Sequence, residues 1–588
     1  MRAAFHFSPR PNRANEIEWR IWGEEAFAEA KRRDVPVLLA ISAVWCHWCH
    51  VMDETSYSTG EIIEQINQGF VPIRVDNDER PDVNRRYNMG GWPTTVFLTP
   101  SGEILHGATY IAPEQMYQTC LAVAEVWREK REDIEGRIAE AVRKETVARP
   151  PQMGELTHEI VSLVRALVSG QYDPQYGGFG RDQKFPQPKV LRFLMDEHRR
   201  AEAPELATML RMTLDGMSKH GMYDHVEGGF FRYATRRDWN VPHYEKMLED
   251  NAELLAIYAD AHRLFPDAGY DGVVRDVIRW MDAVLYQPDV GLWSGSQDAD
   301  EHYYHLDADA RRGHDAPFVD RRLYTSWNAL TAIAYIRAGE VLDDRELRER
   351  GADATKTIGR RMRDATGALC RYDDGSGPRL PDLLEDAATY LRLLLAIGDI
   401  DGATAHAKRM RAQLDDTGRG GFFDAPARSE PGRLARRERP LEENALAADA
   451  LLTLAALAQD DEWRDVAVRG LRSFAGEYRQ WGQFAAPFAN AVARALREPV
   501  SITVVGRKGD AAATALWRAS GLTADPDAVR LHLDPALDRN ALAERGFPPD
   551  RVAAYVCVGT SCSAPLTDEG SLRRELAAAR ERSVAARV

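Results

Sequence analysis

The chain has 588 residues, and 76 Lys and Arg against 91 Asp and Glu give it a net charge of −15. This length exceeds what one hydrophobic core supports and predicts about two to four domains. The acidic balance argues against nucleic acid or an anionic membrane as the main partner. No apolar run approaches the roughly 20 residues that span a bilayer, and the N-terminus lacks the apolar core of a signal peptide, so we expect a cytoplasmic protein.

The first elements frame a Cys-x-x-Cys motif. A helix is predicted over 24–33 and a buried strand over 36–41, and Cys46 and Cys49 then precede a segment with helical spacing from about 52 to 66. A Cys-x-x-Cys between a strand and a helix is the thioredoxin arrangement. The partial positive charge of a helix N-terminus stabilises the first thiolate. We therefore predict that Cys46 attacks and that Cys49 resolves the mixed disulfide.

Three alternatives for this motif stay open. The fold could be redox-silent and serve packing or docking. Cys46, His47, Cys49 and His50 could bind a metal, although the two histidines flank different sides of the turn. The same letters also match the c-type haem attachment pattern. We predict no metal and no cofactor.

A second signal follows about forty residues later, at a spacing typical of the motif's fold. Gly90-Gly91-Trp92-Pro93 precedes a predicted strand at 94–98, and Pro93 is the candidate for the cis-proline beside the cysteines, since cis bonds are essentially a proline property. Further strands are predicted at 70–75 and 104–106. A closing helix is predicted over 113–141, and the linker over 148–152.

From about 155 to 497 the sequence changes to helices separated by glycine and aromatic loops. Asn251, Asn328, Asp386 and Asn444 open similar helices at intervals of about 58 to 77 residues, a period that predicts an α/α toroid. Because Asn and Asp are good N-caps, this recurrence is as well explained by structure as by function.

Carboxylates, histidines and aromatics cluster at the loop ends of this toroid. Such groups supply the paired acid and base that epimerisation or glycoside hydrolysis requires, and we assign His243 and Glu245 as candidate catalytic residues. The structural alternative is that these side chains hold loop backbone, and aromatics at this density are more often core. The predicted substrate-binding residues are Asp224, His225, Glu227, Tyr233, Trp239, Asp298, Asp300, Trp327 and Asn328.

Residues 499–588 read as a small α/β segment. Strands are predicted at 500–506, 529–533 and 554–558, with a helix from Leu566 to the end. Cys557 and Cys562 could form a bridge, but free thiols are expected in a reducing cytoplasm. Cys120 and Cys370 lie in apolar settings and are expected to be inert.

Several motifs together resemble one family closely. They are Cys46 to Met52, Asp78 to Asp82, Gly90 to Pro93, Lys184 to Pro186, Gly228 to Tyr233, Val241 to Leu248 and Ser296 to Asp300. The resemblance is to the YyaL and spermatogenesis-associated thioredoxin-like family, in which a thioredoxin-like domain is fused to a six-hairpin (α/α)6 barrel. It implies a barrel similar to those of N-acylglucosamine 2-epimerases and six-hairpin glycosidases, and it brings no settled reaction. The segments before Gly90 and after Asp300 are shorter than usual.

The predicted architecture is an α/β thioredoxin-like domain (1–147), an all-α (α/α)6 barrel (155–497) and a small α/β C-terminal segment (499–588). The first functional hypothesis is a thiol–disulfide oxidoreductase, with Cys46, Cys49 and Pro93 at its site and a barrel that binds or processes a carbohydrate-like ligand. The second is a sugar epimerase, isomerase or glycosidase-like enzyme with a regulatory thioredoxin unit. The third is a non-catalytic scaffold. The expected partner is a protein thiol or disulfide, or a small carbohydrate-like ligand.

Overall fold

A computed structural model describes residues 5–146, 153–201, 203–523 and 525–585. Within these ranges the chain forms an N-terminal α/β unit, a ring of helices and a C-terminal α/β unit. The predicted linker at 148–152 lies outside the described residues, and the three domain boundaries remain a proposal. In the described part of the chain, no helix is both long enough and apolar enough to cross a membrane.

The N-terminal unit is a four-stranded sheet in the order β2-β1-β3-β4, flanked by helices. Strand β1 is parallel to β2 and antiparallel to β3. The strands are β1 (Val37–Ser42), β2 (Val71–Asp76), β3 (Thr94–Leu98) and β4 (Ile104–Ala108). The helices are α1 (Glu24–Arg33), α2 (His47–Glu54), α3 (Gly60–Gly69), α4 (Pro81–Tyr87) and α5 (Pro113–Thr146).

The central strand is buried on both faces, which explains its continuous apolar run. Leu38 and Ala40 pack into one core, while Val37, Leu39 and Ile41 pack into the other. This alternation places helices on both sides of the sheet and leaves the Cys-x-x-Cys at the carboxyl end of β1.

The prediction of one continuous helical segment from about 52 to 66 is wrong. The backbone leaves helical geometry at Thr55, and a short 3-10 turn at Ser56–Ser58 separates α2 from α3. The Ser56 hydroxyl there donates to the carbonyl of Ile111 instead of staying in the helix. The spacing of apolar residues alone did not indicate that a serine side chain would compete with the helix for hydrogen bonds.

The middle of the chain is built mainly from helices, joined by loops that carry short strands. The helices are α6 (His158–Gln171), α7 (Pro188–Ala201), α8 (Pro204–Lys219), α9 (Leu248–Leu264), α10 (Tyr270–Trp280), α11 (Glu301–Tyr304), α12 (Ala308–Arg311), α13 (Thr325–Val341), α14 (Arg345–Arg361), α15 (Leu384–Ala396), α16 (Ile400–Leu414), α17 (Leu441–Ala458), α18 (Asp461–Phe474) and α19 (Ala486–Ala495). The short strands are β5 (Tyr233–Ala234), β6 (Pro242–His243), β7 (Lys246–Met247), β8 (Tyr286–Gln287), β9 (Leu292–Trp293), β10 (Ser296–Gln297), β11 (Val319–Asp320), β12 (Leu323–Tyr324), β13 (Cys370–Asp373) and β14 (Pro378–Pro381).

Six of these helices form a closed inner ring. Helix α7 contacts α9, the contacts continue through α13, α15 and α17 to α19, and α19 returns to α7. Each inner helix packs against one outer helix, and these outer helices are α6, α8, α10, α14, α16 and α18. The predicted (α/α)6 toroid is confirmed. The inner helices α13 and α17 are buried on almost every side, as helices in the centre of a large core are.

The recurring asparagines stabilise the aromatic loops. In each case the side-chain amide accepts from the backbone N–H of one loop aromatic and donates to its carbonyl, at 2.7–3.0 Å. The pairs are Asn251 with Phe230, Asn328 with Trp293, and Asn444 with Phe422. Asp386 departs from this pattern, because its carboxylate accepts from the Ser326 N–H. The repeat is therefore structural at Asn251, Asn328 and Asn444, although none of the three caps its helix as expected.

The C-terminal unit is a second four-stranded sheet, in the order β16-β15-β17-β18. Its elements are β15 (Val500–Val505), α20 (Ala511–Thr523), β16 (Val529–Leu533), α21 (Arg539–Arg545), β17 (Ala553–Val558), β18 (Ser561–Cys562) and α22 (Glu569–Ala585). The helix predicted from Leu566 is wrong at its start, since Leu566 bridges to Ala554. Cys557 and Cys562 face each other on β17 and β18 and are joined as a disulfide, which corrects the expectation of free thiols.

The hydrogen bonds between the Asn251 side chain and the loop at Phe230 lead to a prediction about stability. Replacing Asn251 with Ala removes three hydrogen bonds and leaves the buried N–H and C=O of Phe230 unpaired. We expect a loss of roughly 2–4 kcal/mol in the free energy of unfolding, measured by chemical denaturation. The control is Asn540→Ala at an exposed position, which should change it by no more than about 0.5 kcal/mol. Equal effects of the two substitutions would contradict the role given to Asn251.

Candidate functional site

The Cys-x-x-Cys begins helix α2. Cys46 is the N-cap residue, and its sulfur accepts the backbone N–H of Cys49 at 3.2 Å. The two sulfurs are joined as a disulfide, and both side chains are buried. The N–H groups and dipole of the first helical turn stabilise negative charge on the Cys46 sulfur. The arrangement is chemically suited to an attacking thiolate at Cys46 with a resolving thiol one turn later.

The predicted proline lies beside this turn. Strand β3 starts at Thr94, which is paired with Ile41 in β1, so Pro93 borders the carboxyl end of β1 where the cysteine loop begins. The Trp92–Pro93 bond is cis, as expected. The Trp92 ring contacts the Trp45 ring edge-on at 5.7 Å, which brings the two loops together.

The barrel covers this face of the thioredoxin-like unit. The guanidinium of Arg232, just before β5, lies 4.2 Å from the ring centroid of Trp45 and 5.0 Å from that of Trp92. Trp45, Cys46 and Cys49 belong to the same hydrophobic core as the barrel helices. The surface on which a thioredoxin fold receives its substrate is therefore an interface within this chain.

Asp298 of the barrel approaches the cysteine helix through His50. Its carboxylate oxygen lies 3.8 Å from the His50 Nδ1. Burial, with further contributions from Glu245 and Asp300, raises the pKa of Asp298 to about 7. Burial also lowers the pKa of His50, and the His50 Nε2 is buried with no hydrogen-bond partner among the described residues. Burial therefore favours the uncharged form of both side chains, next to Cys49 in the sequence.

The two candidate catalytic residues of the barrel join this group. The His243 Nδ1 lies 3.7 Å from a carboxylate oxygen of Glu245. Glu245 is only 2% exposed, and its other oxygen has no hydrogen-bond partner in the described structure. The His243 ring stacks on Tyr233 at 4.5 Å, and Tyr233 stacks in turn on Phe185. We call His50, His243, Glu245 and Asp298 the interface acid–base group.

A second set of candidates has structural partners instead. Asp224 accepts from Lys246 at 2.6 Å and from Arg311 at 2.8 Å. Glu227 pairs with Arg311 and accepts from the Tyr303 hydroxyl at 2.7 Å. Asp300 caps helix α11 through the N–H of Tyr303. Loop and helix-end contacts account for these three carboxylates, so we do not carry their substrate-binding role into our proposal.

The remaining candidates separate in the same way. His225 is exposed and contacts the His220 carbonyl, while Trp239 is fully buried and donates to the Tyr176 carbonyl. Asn328 holds the Trp293 loop as described above. Trp327 differs from these, because its ring lines a cavity in the barrel lumen.

Sequence reasoning did not identify how the motif from Asp78 to Asp82 functions. The Trp45 indole N–H donates to the Asp78 carboxylate at 2.7 Å, and Arg371 of the barrel donates to the Asp78 carbonyl at 3.0 Å. Arg322 pairs with Glu79 at 2.7 Å. Burial, together with the charge of Asp76, raises the pKa of both Asp78 and Glu79 to about 7. This loop joins the cysteine turn to the barrel.

Comparison with known proteins gives the following matches. A family model named Thioredox_DsbH and described as a protein of unknown function, DUF255, matches residues 9–145. Spermatogenesis-associated protein 20 of Homo sapiens is 26% identical, over 96% of this chain and 90% of that protein. Uncharacterized protein B0495.5 of Caenorhabditis elegans is 34% identical, over 49% of this chain and 42% of that protein. A crystal structure of D-mannose isomerase aligns at 10% identity with a TM-score of 0.46, over 58% of this chain and 96% of that one.

The raised pKa of Asp298 predicts a pH-dependent stability. Between its ordinary value of 3.8 and about 7, the folded protein holds a proton that the unfolded chain has lost. Stability therefore falls as the pH rises through this window, and the neutral variant Asp298→Asn avoids that loss. Between about pH 5 and about pH 8, the free energy of unfolding of the variant should rise by on the order of 2 kcal/mol relative to that of wild type.

The measurement is denaturant unfolding of both proteins at the two pH values. Glu301→Gln, at an exposed position in α11, is the control and should follow wild type at both. A difference between Asp298→Asn and wild type that is the same at both pH values would contradict the assignment of a buried, protonated Asp298.

Proposed function

The chain belongs to the YyaL and spermatogenesis-associated thioredoxin-like family, and we propose that its Cys46–Cys49 pair performs thiol–disulfide exchange beside a barrel that binds a small carbohydrate-like ligand. The observation that carries the proposal is the position of the Cys46 sulfur at the start of α2, where it accepts the Cys49 N–H next to Pro93. Among the described residues, no cluster of three or more His, Cys, Asp or Glu is placed to hold a metal ion.

The proposed reaction is a two-electron exchange. The Cys46 thiolate attacks one sulfur of the substrate disulfide, forms a mixed disulfide and expels the other sulfur as a thiolate. The Cys49 thiolate then attacks the Cys46 sulfur, which releases the second substrate thiol and leaves the Cys46–Cys49 disulfide. An external dithiol reduces this disulfide and completes the cycle. The interface acid–base group supplies and accepts the protons, with the His50–Asp298 pair adjacent to Cys49.

The covered face favours a small substrate over a folded protein. Arg232 lies over both tryptophans that border the cysteine turn, and Cys46 is only 4% exposed. A folded protein must dock on this face before its disulfide reaches Cys46, whereas a small disulfide must only reach the Cys46 sulfur. We therefore propose that the substrate is a low-molecular-weight disulfide, in place of the protein partner also considered from the sequence.

A second candidate function is acid–base chemistry on a sugar. The proximity of His243, Glu245 and Asp298 favours it, because a base and an acid side by side are what epimerisation requires. In this alternative the cysteine pair regulates the barrel. The two proposals can be told apart by whether the cysteines are required for turnover.

The exchange reaction gives a direct prediction. With dithiothreitol as reductant, wild type should reduce hydroxyethyl disulfide faster than it reduces insulin, because the larger substrate is held away from Cys46. Cys46→Ser should reduce neither above background, since the attacking thiolate is lost. Cys49→Ser should accumulate a mixed disulfide on Cys46, detectable by mass spectrometry.

The matched control is Cys120→Ala. Cys120 is buried in the core of the same unit, and burial raises its pKa to about 12, so this variant should keep wild-type rates. Cys46→Ser activity equal to that of wild type would contradict the proposal.

A further inference from the structure

The barrel lumen contains two neighbouring cavities. One, of about 200 Å³, lies at the N-terminal ends of the inner helices and is lined in part by Asn77, Asp78 and Pro81 of the thioredoxin-like unit. We call it the upper chamber. The other, of about 370 Å³, lies at the opposite ends of these helices and is lined in part by the C-terminal unit. The two share lining residues such as Lys189, Glu253 and Arg392, so they meet within the lumen.

The upper chamber carries excess negative charge. Its lining holds six carboxylates and three cationic side chains. Glu385 is paired with Arg371, Glu442 with Lys189, and Glu443 with Arg85. Glu249 has no hydrogen bond or ion pair with any described side chain, although it lies on the wall of the chamber. The carboxylates are Asp78, Glu249, Glu253, Glu385, Glu442 and Glu443.

The remaining negative charge affects proton binding. Burial and the neighbouring Glu385 raise the pKa of Glu249 well above its ordinary value, against the opposing effect of Lys189. Burial also raises the pKa of Glu253 and of Glu443. Burial therefore disfavours the negative charge of these carboxyls, and an organic cation bound among them would stabilise that charge.

A second feature of the wall is independent of the carboxylates. The Trp327 side chain lines the chamber and is only 2% exposed, yet its indole N–H has no hydrogen-bond partner within the described residues. A buried indole N–H normally has an acceptor. Its place in the chamber wall points to a ligand oxygen as the acceptor, while the ring itself contacts Tyr324 and Arg371.

We propose that the upper chamber binds a small hydroxylated molecule that carries an ammonium group, held by Glu249 and oriented by the Trp327 N–H. This inference rests on the proposal that the barrel binds a small ligand, and it does not depend on the redox activity of the cysteines. The 200 Å³ volume accommodates a molecule of monosaccharide size. Asp78 forms part of the chamber wall, and its carboxylate accepts a hydrogen bond from the indole of Trp45, the residue before Cys46.

The test is isothermal titration of the full-length protein with three probes. Glucosamine offers the ammonium group and hydroxyls, glucose offers the hydroxyls alone, and spermidine offers ammonium groups without a ring. Glucosamine should bind at least about tenfold more tightly than glucose, the range of one charge-assisted hydrogen bond. Tighter binding of spermidine than glucose would identify the ammonium group as sufficient, while its failure to bind would assign the chamber to an amino sugar. Equal binding of glucose and glucosamine, or binding of none of the three, would overturn the proposal.

Variants locate the binding. Glu249→Gln should weaken glucosamine binding by about tenfold or more and leave glucose binding unchanged, because the substitution removes the charge and keeps the shape of the side chain. Glu301→Gln, exposed and outside the chamber, is the matched control and should bind like wild type. Cys46→Ser should also bind glucosamine normally, so a failure of the redox proposal is distinguishable from a failure of this one. Unchanged glucosamine binding by a folded Glu249→Gln variant would place the ligand elsewhere and overturn the assignment.

Discussion

The contact of Arg232 with Trp45 and Trp92 joins the barrel to the cysteine end of the thioredoxin-like unit. A guanidinium next to indole rings contributes about 0.5–2 kcal/mol through its cation–π component, and one of these two rings belongs to Trp45, the residue before Cys46. Together with the contacts that Asp78 and Glu79 make with Arg371 and Arg322, it keeps this face of the thioredoxin-like unit within an interface. With it in place, the cysteines, the interface acid–base group and the upper chamber lie in one connected region.

Buried acids accompany this contact. Asp78, Glu79 and Asp298 all lie between the thioredoxin-like unit and the barrel, and burial is the largest cause of the raised pKa of each. Such groups cost stability at neutral pH, so their cost must be offset by the arginine pairs around them, including Arg322 with Glu79. Acid–base groups at an interface are also suited to couple proton transfer to the chemistry of the adjacent sulfurs.

The sequence predicted most of the architecture because its signals are local. The apolar run before Cys46, the Trp92-Pro93 pair and the helical periodicity of the toroid each depend on a few neighbouring residues. The strand at Thr94–Leu98 and the helix at Glu24–Arg33 agree with the structure at both ends. The break at Thr55 was missed, because a single serine bond to a distant carbonyl leaves no trace in the apolar pattern.

The site was harder to predict for the same physical reason. Whether a loop carboxylate is structural depends on a partner far along the chain, as with Asp224 and Arg311. The chamber carboxylates stand next to the recurring asparagines, as Glu249 does near Asn251, but only closure of the ring brings them together. The contacts of Arg232 could not be predicted from the sequence, since an arginine after two phenylalanines does not indicate which aromatic rings its guanidinium will contact.

The most direct measurement of the central claim is the size dependence of Cys46 alkylation in the reduced protein. A small maleimide and the same maleimide joined to a large polymer would be compared, with the modified cysteine identified by peptide mass. We expect the small reagent to modify Cys46 readily and the large one to be strongly retarded. Arg232→Ala should relieve that retardation, while Arg236→Ala, an exposed arginine on the same loop, should not. Equal rates with both reagents in wild type would contradict the account, because the cysteine face would then be open.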